Sequence, residues 1–178
     1  DHVDLVLAQT LLRFTDPRRF GLILWQPGPP QAALAHPLLA HLGVEPLTEA
    51  FTAAWLQEAL ARRHSPIKPA LMDSHLLVGV GNIYASESLF RAGISPLRAA
   101  NRIAATRIER LTTAIKETLS EAIAAGGSSI RDYVHSDGSP GWFQIQAGVY
   151  ERTGQPCRRC SGTVRQIRQA GRSTYYCP

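Results

Sequence analysis

The sequence lacks any long apolar run. No segment approaches the roughly 18 consecutive apolar residues of a membrane-spanning helix, so no span is expected. Asp1-His2-Val3-Asp4 has neither a basic start nor a long apolar segment, so these residues are not expected to be a signal peptide. No methionine stands first, and further sequence is expected on the N-terminal side. Cysteine is scarce, with three in 178 residues: Cys157, Cys160 and Cys177. So few, gathered at one end, argue against a disulfide scaffold and for a metal site in a reducing compartment. Acidic residues are outnumbered, 14 Asp and Glu against 19 Lys and Arg, for a net charge of +5. That balance suits a polyanionic partner without naming one.

What is present can be read in order. With 44% apolar residues, a chain of this length can bury a core in one or two domains. Residues 2–25 read as two or three short strands. Val3, Leu5 and Leu7 alternate with polar or small neighbours, Leu11-Leu12-Arg13-Phe14 follows a polar break, and residues 20–25 return as a strand. Asp16-Pro17-Arg18-Arg19 is a turn, since Pro17 presets its own backbone. Residues 26–31, with three prolines and a glycine, form a surface loop or linker.

From residue 48 the apolar period lengthens. Thr48 is expected to cap a helix with Phe51, Trp55, Leu56 and Leu60 on one face. Residues 71–77 should be helical and broken by Gly79-Val80-Gly81. Asn82 should cap the next helix, residues 83–91, which ends at Gly93. Thr106 and Glu109 have capping-box spacing for the longest helix. It runs to about residue 125, turns Ile108, Leu111, Ile115, Leu119 and Ile123 inward, and stops at Gly126-Gly127. A polar, glycine-rich loop follows over residues 128–141. The remaining ribbon is too poor in apolar residues to fold without its metal.

Three segments carry chemistry. Cys157-x2-Cys160 is followed by sixteen residues and then Cys177. Structural zinc takes four tetrahedral ligands; the ribbon holds no histidine, so a fourth ligand is expected just beyond Pro178, with water completing the shell as the alternative. Arg158, Arg159, Arg165, Arg168 and Arg172 make this a basic finger. Free cysteines on a solvated basic hairpin are the plainer alternative. Next, Gly79-Val80-Gly81-Asn82 opens a helix whose free N–H groups and positive dipole end suit a phosphate, with Asn82 adding a hydrogen bond. An ordinary interhelical turn has the same composition, and Tyr84 stands where a dinucleotide fold wants its third glycine. Last, Arg18 and Phe20 share a rigid turn from which a wedge can enter a duplex. By itself such a turn more often sends its phenylalanine into a core.

Together these segments resemble one family, the bacterial formamidopyrimidine-DNA glycosylases, over essentially the whole chain. The motifs are Thr15-Asp16-Pro17-Arg18-Arg19-Phe20-Gly21, then Gly79-Val80-Gly81-Asn82-Ile83-Tyr84-Ala85-Ser86-Glu87, then Gly154-x-Pro156-Cys157-x2-Cys160. The first favours this family over its relative endonuclease VIII. The resemblance implies an α+β fold in four parts. Residues 1–26 would be the second half of an N-terminal β-sandwich with the wedge loop, and 27–47 a linker. Residues 48–141 would be a helix-two-turn-helix domain with a lesion-recognition loop, and 142–178 a β-hairpin zinc finger.

It also implies base-excision repair. The intact protein would remove oxidised purines (8-oxoguanine and formamidopyrimidines) from double-stranded DNA and cut the strand by β,δ-elimination. Arg18 would fill the gap opposite the orphaned cytosine, and Phe20 would kink the helix. Lys68 and Asn82 would grip phosphates flanking the flipped nucleotide, and Tyr150 would add a backbone contact. His64 stands where relatives often carry a DNA-contacting lysine, giving a weaker, pH-dependent contact. Arg172 would bind the phosphate beside the lesion and assist elimination, while the loop 129–141 closes on the extruded base. Cys157, Cys160 and Cys177 would hold one structural zinc ion. The protein would act as a monomer in the bacterial cytoplasm, on the nucleoid.

The family's nucleophile is an N-terminal proline followed by glutamate, and this chain carries neither at its start. These 178 residues by themselves are therefore expected to be inactive. A non-catalytic DNA-binding module built from the same helices and ribbon is the alternative. A zinc-ribbon protein acting on RNA is a third reading, which the wedge turn opposes.

Overall fold

A computed structural model describes residues 3–16, 19, 21–127 and 147–178. Arg18, Phe20 and the loop 129–141 lie outside the described residues. The chain divides into two compact units, Asp1–Ala40 and His41–Pro178. That division falls inside the segment 27–47 expected to be a linker.

The first unit contains an antiparallel hairpin of β1, Val3–Val6, and β2, Leu11–Phe14, with Val3 opposite Phe14 and Val6 opposite Leu11. Asp4 and Arg13 face each other across it and pair at 2.8 Å. The expected third strand over residues 20–25 is not formed among the described residues; Gly21 to Trp25 carries no ladder, and Trp25 is exposed. A two-stranded ribbon cannot cover its own apolar side chains, and Leu5, Val6 and Leu12 are exposed. A 3-10 turn follows over Pro30–Ala35.

The second unit holds α1, Ala53–Leu60; α2, Ile67–Leu71; α3, Asn82–Ala92; α4, Ala105–Ala124; and a hairpin of β3, Arg165–Gln169, and β4, Arg172–Tyr176. Several helix starts differ from the sequence reading. Thr52, not Thr48, caps α1, its hydroxyl accepting the Trp55 N–H at 3.1 Å. The Thr48 hydroxyl instead donates to the Glu45 carbonyl in the preceding turn. Phe51 therefore lies outside the helix and fully buried, in the place of a hydrophobic staple with Leu56.

α2 forms before the stretch 71–77 expected to be helical. Pro66 precedes it and Pro69 sits in its first turn, where a missing N–H costs nothing. Beyond Leu71 the backbone turns to pair with Val44, whose N–H donates to the Leu76 carbonyl, so tertiary pairing ends the helix. Gly81 caps α3 and Asn82 is its first residue, which leaves the Asn82 side chain free for other work. α4 begins at Ala105 from an Ala104 cap that makes no side-chain bond, so Thr106 and Glu109 lie too far into the helix to form a capping box.

The core lies where α3 and α4 pack against α1 and α2. Ile108, Leu111, Ile115 and Leu119 of α4 are buried as expected. Ile123 is exposed, because Ala122 takes the next inward position on the stripe. α3 is buried almost all round, including Ser86, Glu87 and Ser88, as a helix enclosed on all sides must be. It ends at Gly93 in the left-handed conformation, φ 66°, with the Ile94 N–H returning to the Leu89 carbonyl.

Candidate nucleic-acid interface and metal centre

At the C-terminal end, the metal knuckle is set by local backbone geometry. The Cys157 N–H donates to the Gly162 carbonyl, and Pro156 bridges Thr163. That tight loop brings the sulfurs of Cys157, Cys160 and Cys177 within 4.8 Å of one another. Tetrahedral zinc–thiolate bonds of about 2.3 Å put sulfurs roughly 3.8 Å apart, so the three fit a single ion. Backbone N–H groups of Arg159 and Gly162 donate to Cys157 Sγ and Cys160 Sγ, each at 3.3 Å. Such bonds favour thiolates, and the Arg159 N–H holds the Cys157 thiol below its usual range. Burial and the neighbouring sulfurs push Cys177 the other way. A Cβ on Gly162 would stand 3.3 Å from both Cys160 Sγ and Cys177 Sγ, so only glycine fits comfortably. Among the described residues no further Cys, His, Asp or Glu joins the cluster as a fourth ligand.

The hairpin built on this knuckle turns at Ala170-Gly171, both with positive φ, as the twist of a tight hairpin demands. Beyond the turn, Arg172 is exposed and shares with Lys68, Pro69, Met72, Gln169 and Ala170 a cavity of about 160 Å³. Lys68 itself is buried, 1% exposed. Its ammonium donates to Asn82 Oδ1, to Thr174 Oγ1 at 2.8 Å and to the Ser173 carbonyl at 3.1 Å. All three N–H donors thus have partners inside the protein. Burial, and then the nearby Arg172 charge, lower the Lys68 pKa from 10.5 to about 8.

Tyr150 completes the group. It stacks edge-on against Tyr175, ring centres 4.9 Å apart, and its phenol bonds Asn82. Burial raises the Tyr150 pKa, an effect the Asn82 bond opposes. Lys68, Asn82, Tyr150 and Arg172 therefore come together from α2, α3, the segment before the knuckle, and β4. His64 is exposed and bonds Asn101 at 3.1 Å instead.

Two residues that sequence reasoning did not single out hold this group in place. Thr174, fully buried, accepts from Lys68. Glu87, 2% exposed on α3, accepts the N–H groups of Gly148, Val149 and Tyr150 at 2.8, 3.0 and 2.8 Å. The carboxylate acts as an internal anion in a nest of backbone donors and so sets where Tyr150 begins. The one signal was an acidic residue amid the small and apolar stretch Ala85-Ser86-Glu87-Ser88-Leu89.

Residues 42–134, just over half of the chain, match the formamidopyrimidine-DNA glycosylase H2TH domain, and residues 154–178 match a zinc finger found in FPG and IleRS. The chain belongs to the formamidopyrimidine-DNA glycosylase family. Its helix-two-turn-helix domain and its hairpin finger are those of the family, and the finger binds one structural zinc ion. A formamidopyrimidine-DNA glycosylase of Dechloromonas aromatica is 75% identical over 99% of this chain and 64% of that relative. One from Burkholderia thailandensis is 54% identical over 100% of this chain and 64% of the relative. The chain thus spans just under two thirds of the length of these curated relatives. The crystal structure of the MutM (Fpg) protein from Thermus thermophilus matches with a TM-score of 0.86 and 42% identity, over 98% of this chain and 66% of that one. Lactococcus lactis Fpg in complex with DNA containing an abasic site matches with a TM-score of 0.76 and 38% identity, over 84% of this chain and 55% of that one. No helix among the described residues is long and apolar enough to cross a membrane.

Proposed function

We propose that this chain is the DNA-gripping part of a bifunctional glycosylase and AP lyase of base-excision repair. The intact protein excises oxidised purines, 8-oxoguanine and formamidopyrimidines, from duplex DNA in the bacterial cytoplasm. The observation that carries this reading is the group Lys68, Asn82, Tyr150 and Arg172, assembled from the helical domain and the finger. It joins an amide, a phenol and two cations, the donor set that phosphates take. Solved complexes of relatives with abasic and carbocyclic 8-oxo-G DNA support a damaged duplex as the partner.

Asn82, Tyr150 and Arg172 contact phosphates beside the flipped nucleotide, and Lys68 supplies charge beneath them. His64 adds an outlying contact, and Arg18 and Phe20 fill and wedge the emptied stack. In the family's chemistry, a secondary amine attacks C1′ of the sugar and expels the base. The resulting iminium acidifies the neighbouring C–H, so β- and then δ-elimination cut the strand. The amine belongs to the N-terminal proline of the intact protein, while Arg172 steadies the phosphate that leaves.

Borohydride trapping on a duplex with 8-oxoguanine opposite cytosine tests the assignment. The 178 residues should bind the duplex and give no covalent adduct, and the intact protein should give one. An adduct from the 178 residues would overturn the assigned nucleophile. An intact protein that binds the duplex without trapping or excision would favour a non-catalytic binding module.

Lys68 gives a separate pH signature. With its folded pKa near 8, the unfolded chain binds more protons between about pH 8 and 10.5. Folding stability should therefore rise with pH across that window. Duplex affinity should fall there, because phosphate favours the protonated ammonium. Both slopes should shrink in Lys68→Ala, measured by urea melts and fluorescence anisotropy. Persistence of the affinity slope in the variant would remove Lys68 from the binding site.

A further inference from the structure

An arginine of the metal knuckle ties it to the end of α3. Arg159 lies between two zinc ligands, and its backbone N–H donates to Cys157 Sγ. Its side chain reaches away to the end of α3. There Nη1 donates to the Phe90 carbonyl at 2.9 Å and the Arg91 carbonyl at 2.8 Å, while the guanidinium lies over the Phe90 ring at 5.6 Å. These carbonyls belong to the last turn of the helix, where the dipole is negative and acceptors outnumber the helix's own donors; the Phe90 carbonyl also takes the Gly93 N–H at 3.1 Å. Arg91 in turn pairs with Glu121 of α4 at 2.6 Å, so the docked turn is fixed to the longest helix.

The opposite end of α3 carries Asn82, and the finger carries Arg172 and Thr174. Lys68 joins these at one point, through Asn82 and Thr174. Arg159 supplies a further point at the other end of the same helix. Glu87 holds the segment before the knuckle, and Gln169 Nε2 donates to the Pro96 carbonyl at 3.2 Å near the hairpin turn, so what Arg159 adds is a tie from the knuckle itself to α3.

We propose that Arg159 is a positioning residue that couples zinc retention to the alignment of Arg172 with Lys68 and Asn82. With the ion bound, the knuckle holds the Arg159 backbone where its side chain can reach Phe90 and Arg91. When the ion leaves, that placement is lost, the knuckle comes away from α3, and β4, which begins at Arg172 and ends next to the ligand Cys177, loses its fixed end. Coupling is reciprocal, so removing the side chain must also weaken the hold on zinc. The DNA part of this inference rests on the proposed function; the zinc part does not.

The test uses the intact, zinc-loaded protein with Arg159→Ala and Arg159→Lys. Zinc release into excess chelator should be about fivefold faster in Arg159→Ala, the low end of ordinary coupling. The Lys variant, which keeps charge and a donor, should fall between. Amide exchange at Gly93 and Ile94 should quicken in the same order. Affinity for a duplex with an abasic-site analogue should drop about fivefold in Arg159→Ala with an unchanged salt dependence, because this charge sits on the helix and not on a phosphate. Unchanged zinc release and exchange would overturn the coupling. A salt slope flatter by about one would overturn it also, making Arg159 a phosphate contact. Should the parent protein bind no duplex, the proposed function fails, while zinc release and exchange still judge Arg159.

Discussion

Removing zinc from the intact protein is expected to unfold the finger and to cut duplex affinity about a hundredfold, equivalent to roughly 2.7 kcal/mol. The finger has little else to hold it. Over residues 154–178 the buried residues are Cys157, Val164 and Thr174, and β3 is mostly exposed. Structural zinc sites of this kind contribute folding energy outright, with apparent binding free energies of about 10–16 kcal/mol. Without the ion, β4 no longer presents Arg172 beside Lys68, and Thr174 no longer occupies a Lys68 donor. The helical core has its own apolar cluster and should survive. Chelator titration followed by circular dichroism and anisotropy checks both parts. Helical signal should be kept while affinity is lost, and Cys160→Ala should reproduce the chelated state. Equal affinity with and without the ion would show that the finger does not present the DNA-binding group.

Glu87→Ala is expected to destabilise the second unit by about 3–5 kcal/mol in urea melts. The substitution strips three backbone N–H groups of their acceptor, two of them buried, at about 1–3 kcal/mol for each left unsatisfied. Partial rehydration of the vacated space keeps the total below the full sum. Glu87→Gln should lose about half as much, since its oxygen still accepts while its NH2 faces donors. Both variants should bind duplex more weakly than their stability loss explains, because Glu87 sets the start of Tyr150 and so its contacts with Tyr175 and Asn82. A loss under 1 kcal/mol for Glu87→Ala would mean that water replaces the carboxylate freely.

The metal knuckle, the long helix α4 and the order of the parts are legible in the residues alone. Each is a local pattern. Two cysteines with two residues between them close a tight loop whatever surrounds it. An apolar stripe from Ile108 to Leu119 has a single helical face to bury. Helix starts were less legible, because Thr48 and Thr52 are chemically equal as caps and only the burial of Phe51 chooses between them. The capping box at Thr106 failed for a similar reason: the backbone enters α4 too early for that hydroxyl to cap. The strand expected over residues 20–25 had the right composition but found no ladder partner among the described residues.

What the candidate residues touch depends on packing between distant parts of the chain. Lys68 was legible as a cation near a phosphate site, yet its three partners include Ser173 and Thr174, more than a hundred positions away. Glu87 reaches residues 148–150, and Arg159 reaches back to Phe90 and Arg91. No local period encodes such pairs. They exist because α3 is buried between α4 and the finger, where every polar group must find a partner and the partners on offer come from distant parts of the chain.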